Sequence, residues 1–215
     1  MGTAPVYLKN KNSKYLWLFI GVNIAIFLSI SIGKQLAYAT VEHFWQKVSA
    51  KDGLIAICIP LVTVVLNGLL GDMAKARIVF WRWRNPLPGC RAFSQLMHTD
   101  PRIDVDALKV ICGGNFPEDP KEQNALWYKH YKKNSNSITV LEAHKAYLLT
   151  RDMTALSLLF VFLFSVGAIL TPVEWKIRIL YSLILLAQYL FLSTSARHYG
   201  NRFVLNVLTE ASQKE

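Results

Sequence analysis

Apolar residues in this chain come in blocks rather than at a regular period. Leu16–Ile32, Leu54–Leu70, Thr154–Leu170 and Ile177–Leu192 are strongly apolar, and the block Asp72–Asp152 between the second and third is polar. Each apolar block has roughly 16–19 residues, enough at about 1.5 Å rise per residue to cross or nearly cross about 30 Å of hydrocarbon. A core helix of a soluble protein is seldom so uniformly apolar. The pattern predicts an all-α integral membrane protein, with four transmembrane helices as two pairs flanking a mainly helical cytosolic domain. The expected boundaries are 1–71 for a tail and the first pair, 72–152 for the domain, and 153–215 for the second pair and a C-terminal tail.

Charge orients this arrangement. The chain carries a net charge of +10, which invites a nucleic-acid reading, but the positive-inside bias accounts for it. With two pairs of spans, both tails and the polar block share one side, and 19 of the 24 Lys and Arg fall there. That side is expected to be the cytoplasm, and the membrane a bacterial inner membrane. Lys9–Lys14, the apolar stretch and Ala37-Tyr38-Ala39 together resemble a signal peptide. The stretch is too long for a signal core and Gly33-Lys34-Gln35 interrupts the approach to the cleavage site, so an uncleaved first span is expected. Cys58, Cys90 and Cys112 make no disulfide framework and no zinc spacing, so free thiols are expected.

Within the spans, Gly21, Ala25, Ser29 and Gly33 recur every four residues along one helix face. Small residues let backbones approach closely in lipid, either within the chain or between subunits. Pro60 removes a backbone donor in the second stretch and, with Gly71 beyond it, marks a candidate hinge. The link Thr171–Lys176 is short enough to force an antiparallel hairpin. Trp17, Trp45, Trp81, Trp83 and Trp175 fall near span ends, where indoles settle at headgroups. No charged side chain sits in the apolar core of a span, which argues against an ion-coupled carrier. Asn23, Asn67 and Gln188 are expected to bond between helices.

The polar block opens with Arg77-Ile78-Val79-Phe80-Trp81-Arg82-Trp83-Arg84, in which cations and rings interleave. Its closeness to the membrane favours an interfacial anchor over a platform for single-stranded nucleic acid. Pro86 and Pro88 end the helix leaving the membrane. A short helix is expected over Arg91–His98, and another from the cap Asp104 to Cys112, stopped by Gly113-Gly114. Asp119-Pro120-Lys121-Glu122 is a strong helix start, and that helix offers Leu126, Trp127 and Tyr131 for burial. From Ile138 onward the block and the third span read as one continuous helix, able to carry a push or twist from domain to bilayer.

No motif fixes a reaction. His98, Asp100, Asp104 and Asp106 match no metal-ligand spacing, Gly113-Gly114-Asn115 lacks the residues of a phosphate loop, and no Ser elbow or Cys–His pairing is evident. Arg91 and His98 are superficially similar to the pattern of HEPN-type ribonucleases, in which Arg and a polar residue are followed after four to six residues by His, but Ala92 breaks the pattern. No catalytic residue, metal or cofactor is expected. In layout, size and lack of catalytic motifs the chain resembles in outline the small multi-span effectors of bacterial anti-phage systems. That resemblance implies a cytosolic part that senses a partner or signal, and spans that assemble to leak ions or disturb the bilayer. Arg82, Trp83, Arg84, Arg91, Trp127, Tyr128 and Tyr131 are the expected contact residues, and Gly21, Ala25, Ser29 and Gly33 the assembly residues. The expected partners are the lipid bilayer, a cytosolic protein and further copies of the chain, with nucleic acid less favoured. The alternatives are a static scaffold tethering an enzyme or nucleic acid, and a small channel or transporter.

Overall fold

A computed structural model describes residues 3–36, 62, 65–169 and 174–213. All regular structure among them is helical. The main helices are α1 (Thr3–Leu36), α2 (Asp72–Phe80), α3 (Val105–Ile111), α4 (Pro120–Asn134), α5 (Ile138–Ile169) and α6 (Trp175–Ser212). Between α2 and α3, Pro88–Thr99 runs as a 3₁₀ turn, a π turn and a second 3₁₀ turn in place of the simple helix expected over Arg91–His98. Three helices among the described residues are long and apolar enough to cross a membrane, over Asn12–Ile30, Ile138–Ala168 and Trp175–Ser212. Most of the second apolar stretch, with Pro60 and Cys58, lies outside the described residues, as do Trp45, Ala37-Tyr38-Ala39 and the first half of the link Thr171–Lys176.

The described residues fall into two compact units. A polar unit draws on Met1–Asn12, Asp72–Arg151 and Ser193–Glu215, and an apolar unit on Ser13–Gly71 and Asp152–Leu192. One boundary falls directly after the hinge candidate Gly71, which is exposed between the helical residues 65–69 and α2.

In the apolar unit, Ile20, Ile24 and Phe27 of α1 are buried with Leu156, Phe160 and Phe164 of α5 and Tyr181 and Leu185 of α6. Phe27 stacks on Phe164 at 4.8 Å, and Phe160 on Phe164 at 4.9 Å. Gly167 admits the Phe27 ring: a Cβ there would stand 3.1 Å from its Cζ. The small-residue stripe lies elsewhere on α1. Gly21, Ala25 and Ser29 are exposed, with nothing within 4 Å of a Cβ built on Gly21; Gly33 lies in the same helix. Asn23 is buried, but its amide donates to the Phe19 carbonyl of its own helix at 2.9 Å rather than across to a neighbour. An Asn side chain is short enough to satisfy itself on the preceding turn.

The polar unit has its own core, built from Val79, Phe93, Leu108, Trp127, Val140, Phe203 and their neighbours. Its helix starts are those the sequence marks. Asp104 caps α3 by accepting from the Ala107 N–H at 2.9 Å, and Gly113 and Gly114 end it at φ of 82° and 98°, a region open to glycine. Asp119 caps α4, accepting from the N–H groups of Lys121 and Glu122 at 2.8 and 3.1 Å, with Pro120 in the first turn. The C-terminal residues, read from sequence as a tail, instead continue α6 to Ser212 and bury Phe203, Val204, Val207, Leu208 and Ala211. Their i, i+4 spacing forms a narrow apolar stripe that points into this core.

Candidate functional site

An aromatic cleft of about 460 Å³ opens in the polar unit. Trp127, Tyr128 and Tyr131 of α4 form one wall, and His144, Tyr147, Leu148 and Arg151 of α5 another. Phe203 of α6 closes the cleft, and Asp72 and the Leu87–Gly89 turn line its rim.

Local sequence fixes these positions. Trp127 and Tyr131 are four apart on α4, so they lie on one face and their rings stack with centroids 5.9 Å apart. One turn earlier, Gln123 is 1% exposed. Its Oε1 accepts from the Phe93 N–H, the Ser94 N–H and the Ser94 hydroxyl at 3.1–3.3 Å, and its Nε2 donates to the Glu118 carbonyl at 3.2 Å. One buried amide thus ties the π turn to α4. Gly89 approaches α4 so closely that a Cβ would lie 2.8 Å from Trp127 Cε3 and would also collide with Asn124 Oδ1.

Phe203 organises the rings. It meets Trp127 and Tyr131 edge to face, at 5.2 and 5.3 Å, and His144 face to face at 4.5 Å. The Trp127 indole N–H donates to the Val204 carbonyl at 3.4 Å. The Tyr131 hydroxyl and His144 Nδ1 share a hydrogen bond of 3.1 Å. Burial, assisted by the Arg151 charge, pushes His144 down to about 4, so it is neutral at pH 7. Burial likewise raises the Tyr131 phenol above its ordinary value. The wall is therefore uncharged except at one end. There Arg151 pairs with Asp72 at 3.0 Å, the Arg side chain 6% exposed and the Asp side chain 67% exposed. The cleft is suited to a flat or branched apolar group held against rings, with a guanidinium beside it.

A second juxtaposition escapes the sequence, which shows no Cys–His pairing: Cys112 Sγ lies 3.5 Å from His130 Nε2. Burial raises the thiol and lowers the imidazole. Both groups are thereby held neutral, the opposite of the thiolate–imidazolium pair that nucleophilic catalysis needs. No cluster of three or more His, Cys, Asp or Glu fit to hold a metal occurs among the described residues.

Of the seven expected contact residues, the cleft brings together Trp127, Tyr128 and Tyr131. Arg82, Trp83 and Arg84 instead lie exposed on the turn after α2, and Arg91 is half-buried with its guanidinium 5.3 Å from the Phe80 ring centre. His98 is exposed. Sequence reasoning missed Asp72, His144, Tyr147, Arg151 and Phe203 as site residues. A usable signal was present for α5, since His144 and Leu148, and Tyr147 and Arg151, are each four apart and share a face. Nothing local singles out Phe203. Comparison with known protein families, curated proteins and solved structures finds no match.

Proposed function

We propose that the chain is a membrane-embedded interaction protein without enzymatic activity. It crosses the bilayer four times, with the polar unit in the cytosol, and receives a cytosolic protein partner in the aromatic cleft. The observation that carries this reading is a continuity within α5. Four cleft residues, His144, Tyr147, Leu148 and Arg151, sit on the same uninterrupted helix as the buried apolar residues Leu156, Phe160 and Phe164. On this reading the helix common to the two units is the route by which an occupied cleft would act on the spans. The cleft chemistry favours an aromatic or aliphatic side chain, because rings gain most from apolar contact and offset stacking.

The finer form of the reading is an oligomeric effector of bacterial anti-phage defence that disturbs the inner membrane when its partner is engaged. The exposed stripe Gly21, Ala25 and Ser29 supports assembly, since it leaves one face of α1 open to close helix packing. A photo-crosslinking residue in place of the exposed Tyr128, in the full chain in its host membrane, tests the cleft. A discrete crosslinked protein is expected, lost when Leu148→Arg blocks the cleft; no crosslinked species from membrane-inserted protein would sink the reading. Labelling of Lys133→Cys from outside intact cells would sink the topology. Unchanged membrane potential on overexpression with the captured partner would sink the effector form.

A further inference from the structure

The turn between α2 and the 3₁₀ segment departs from ordinary backbone conformation at two residues. Trp81 and Asn85 both adopt left-handed backbone, with φ of 54° and 47°. For a residue as bulky as Trp this conformation is strained. Several contacts hold it. The Trp81 N–H donates to the Arg77 carbonyl at 2.9 Å, and the Trp81 ring lies 3.7 Å from the Arg197 guanidinium carbon. Arg197 and Ser193 both donate to the Val79 carbonyl, at 2.6 and 3.0 Å, and Arg77 Nε donates to the Trp83 carbonyl at 3.2 Å. The turn is thus pinned just before the tripeptide Arg82-Trp83-Arg84 and at its central residue.

What this pinned turn presents is cationic and aromatic. The Trp83 side chain is on the surface, the residue 84% exposed, although an indole gains little from bulk water and settles best where an apolar phase meets a polar one. Arg82 and Arg84 are exposed and have no ion-pair partner among the described residues. Arg91, packed on Phe80, keeps its Nη1 buried without a hydrogen-bond partner. The Arg82 charge reaches Arg91 and, after burial, disfavours its charged form. Arg82 and Arg91 thus lie within electrostatic reach of each other, Arg84 follows two residues after Arg82, and none of the three pairs with a carboxylate among the described residues.

We propose that Arg82, Trp83, Arg84 and Arg91 form a clamp for the headgroup phosphate of an anionic phospholipid, with the Trp83 indole seated at the interface. Guanidinium groups bind phosphate oxygens through paired N–H donors, and a basic surface residue near an anionic leaflet gains attraction within a Debye length. Asp72, the start of the helix that carries this turn, follows the apolar stretch Leu54–Leu70 by a single residue, which keeps the turn close along the chain to lipid. The inference rests on the membrane-embedded reading.

Its test uses the full chain in nanodiscs of phosphatidylcholine alone or mixed with phosphatidylglycerol. Retention of phosphatidylglycerol by the extracted protein is measured by native mass spectrometry, and Trp83 depth by quenching with lipids brominated near the headgroup, taken as wild type minus Trp83→Phe. The wild type is expected to retain phosphatidylglycerol over phosphatidylcholine and to show a quenched Trp83 signal. Arg82→Gln/Arg84→Gln is expected to lower that retention about tenfold, while Lys121→Gln/Lys129→Gln, which removes the same charge from exposed positions on α4, leaves it unchanged. Equal retention by the two double variants, or an unquenched Trp83 signal, would overturn the clamp. So would an oligonucleotide or inorganic phosphate that binds the turn in place of lipid. Failure of the protein to stay with the membrane after alkaline extraction would instead overturn the membrane-embedded reading itself.

Discussion

His144 lies flat on Phe203, ring centroids 4.5 Å apart and planes 5° from parallel. The stack encloses an imidazole that burial keeps neutral, and Tyr131 holds its Nδ1 at 3.1 Å.

This neutrality makes the fold acid-sensitive. The unfolded chain takes up a proton on His144 near pH 6.5, while the folded chain resists until about 4. Stability contributed by this site is therefore present above pH 6.5 and is lost as the pH falls from there toward 4. His130, also lowered by burial, acts in the same direction. Thermal unfolding in detergent is expected to show a falling Tm from pH 7 to pH 5. His144→Gln should reduce proton uptake on unfolding at pH 5 by up to about one per molecule. An unchanged pH slope in the variant would assign the acid sensitivity to other groups.

Gln123→Leu should be among the most damaging substitutions of similar volume in the polar unit. It strips an acceptor from the Phe93 and Ser94 N–H groups and puts an alkyl group where they point. A buried donor left unmade costs about 1–3 kcal/mol, so a loss of about 2–4 kcal/mol is expected from chemical denaturation. A loss under about 0.5 kcal/mol would mean that the π turn finds other acceptors.

Gly89→Ala tests close approach rather than backbone freedom. The added methyl would meet Trp127 Cε3 at 2.8 Å and collide with the Asn124 amide. Overpacking of this kind costs about 1–3 kcal/mol. Because Trp127 lines the cleft, its fluorescence should shift along with the loss of stability. An unaltered spectrum would show that Asn124 alone gives way.

Asp119→Ala removes the side-chain acceptor for two N–H groups at the start of α4. A destabilisation of about 1 kcal/mol is expected, with Asp119→Ser recovering most of it. Failure of Ser to restore stability would point to the charge rather than the cap.

The sequence reads well where a helix announces itself locally. Asp104, Asp119-Pro120 and Gly113-Gly114 mark starts and stops through groups within three residues, and all are used as their chemistry dictates. The unbroken helix from Ile138 is legible for the same reason: no Gly or Pro interrupts it before Gly167. Three of the apolar blocks lie in helices long enough to span a bilayer. The cleft was legible only in part. Trp127, Tyr128 and Tyr131 stand out as a cluster in sequence, but Phe203 joins them from seventy-two residues beyond Tyr131, a distance over which local pattern carries no information. The pairing of Cys112 with His130 depends on how α3 packs against α4, which composition and spacing do not encode. The π turn at Ala92–Leu96 is likewise set by tertiary demand, since Gln123 supplies its acceptor from α4.

Phe203, Val204, Val207 and Leu208 complete a core whose other members begin at Ala76. During synthesis the ribosome delivers Phe93, Trp127 and Tyr131 long before their covering residues exist. Those rings lack their native cover until the stretch from Phe203 to Leu208 has been made. A nascent chain halted after Leu192 would display them, and quality-control proteases would find it an easy target.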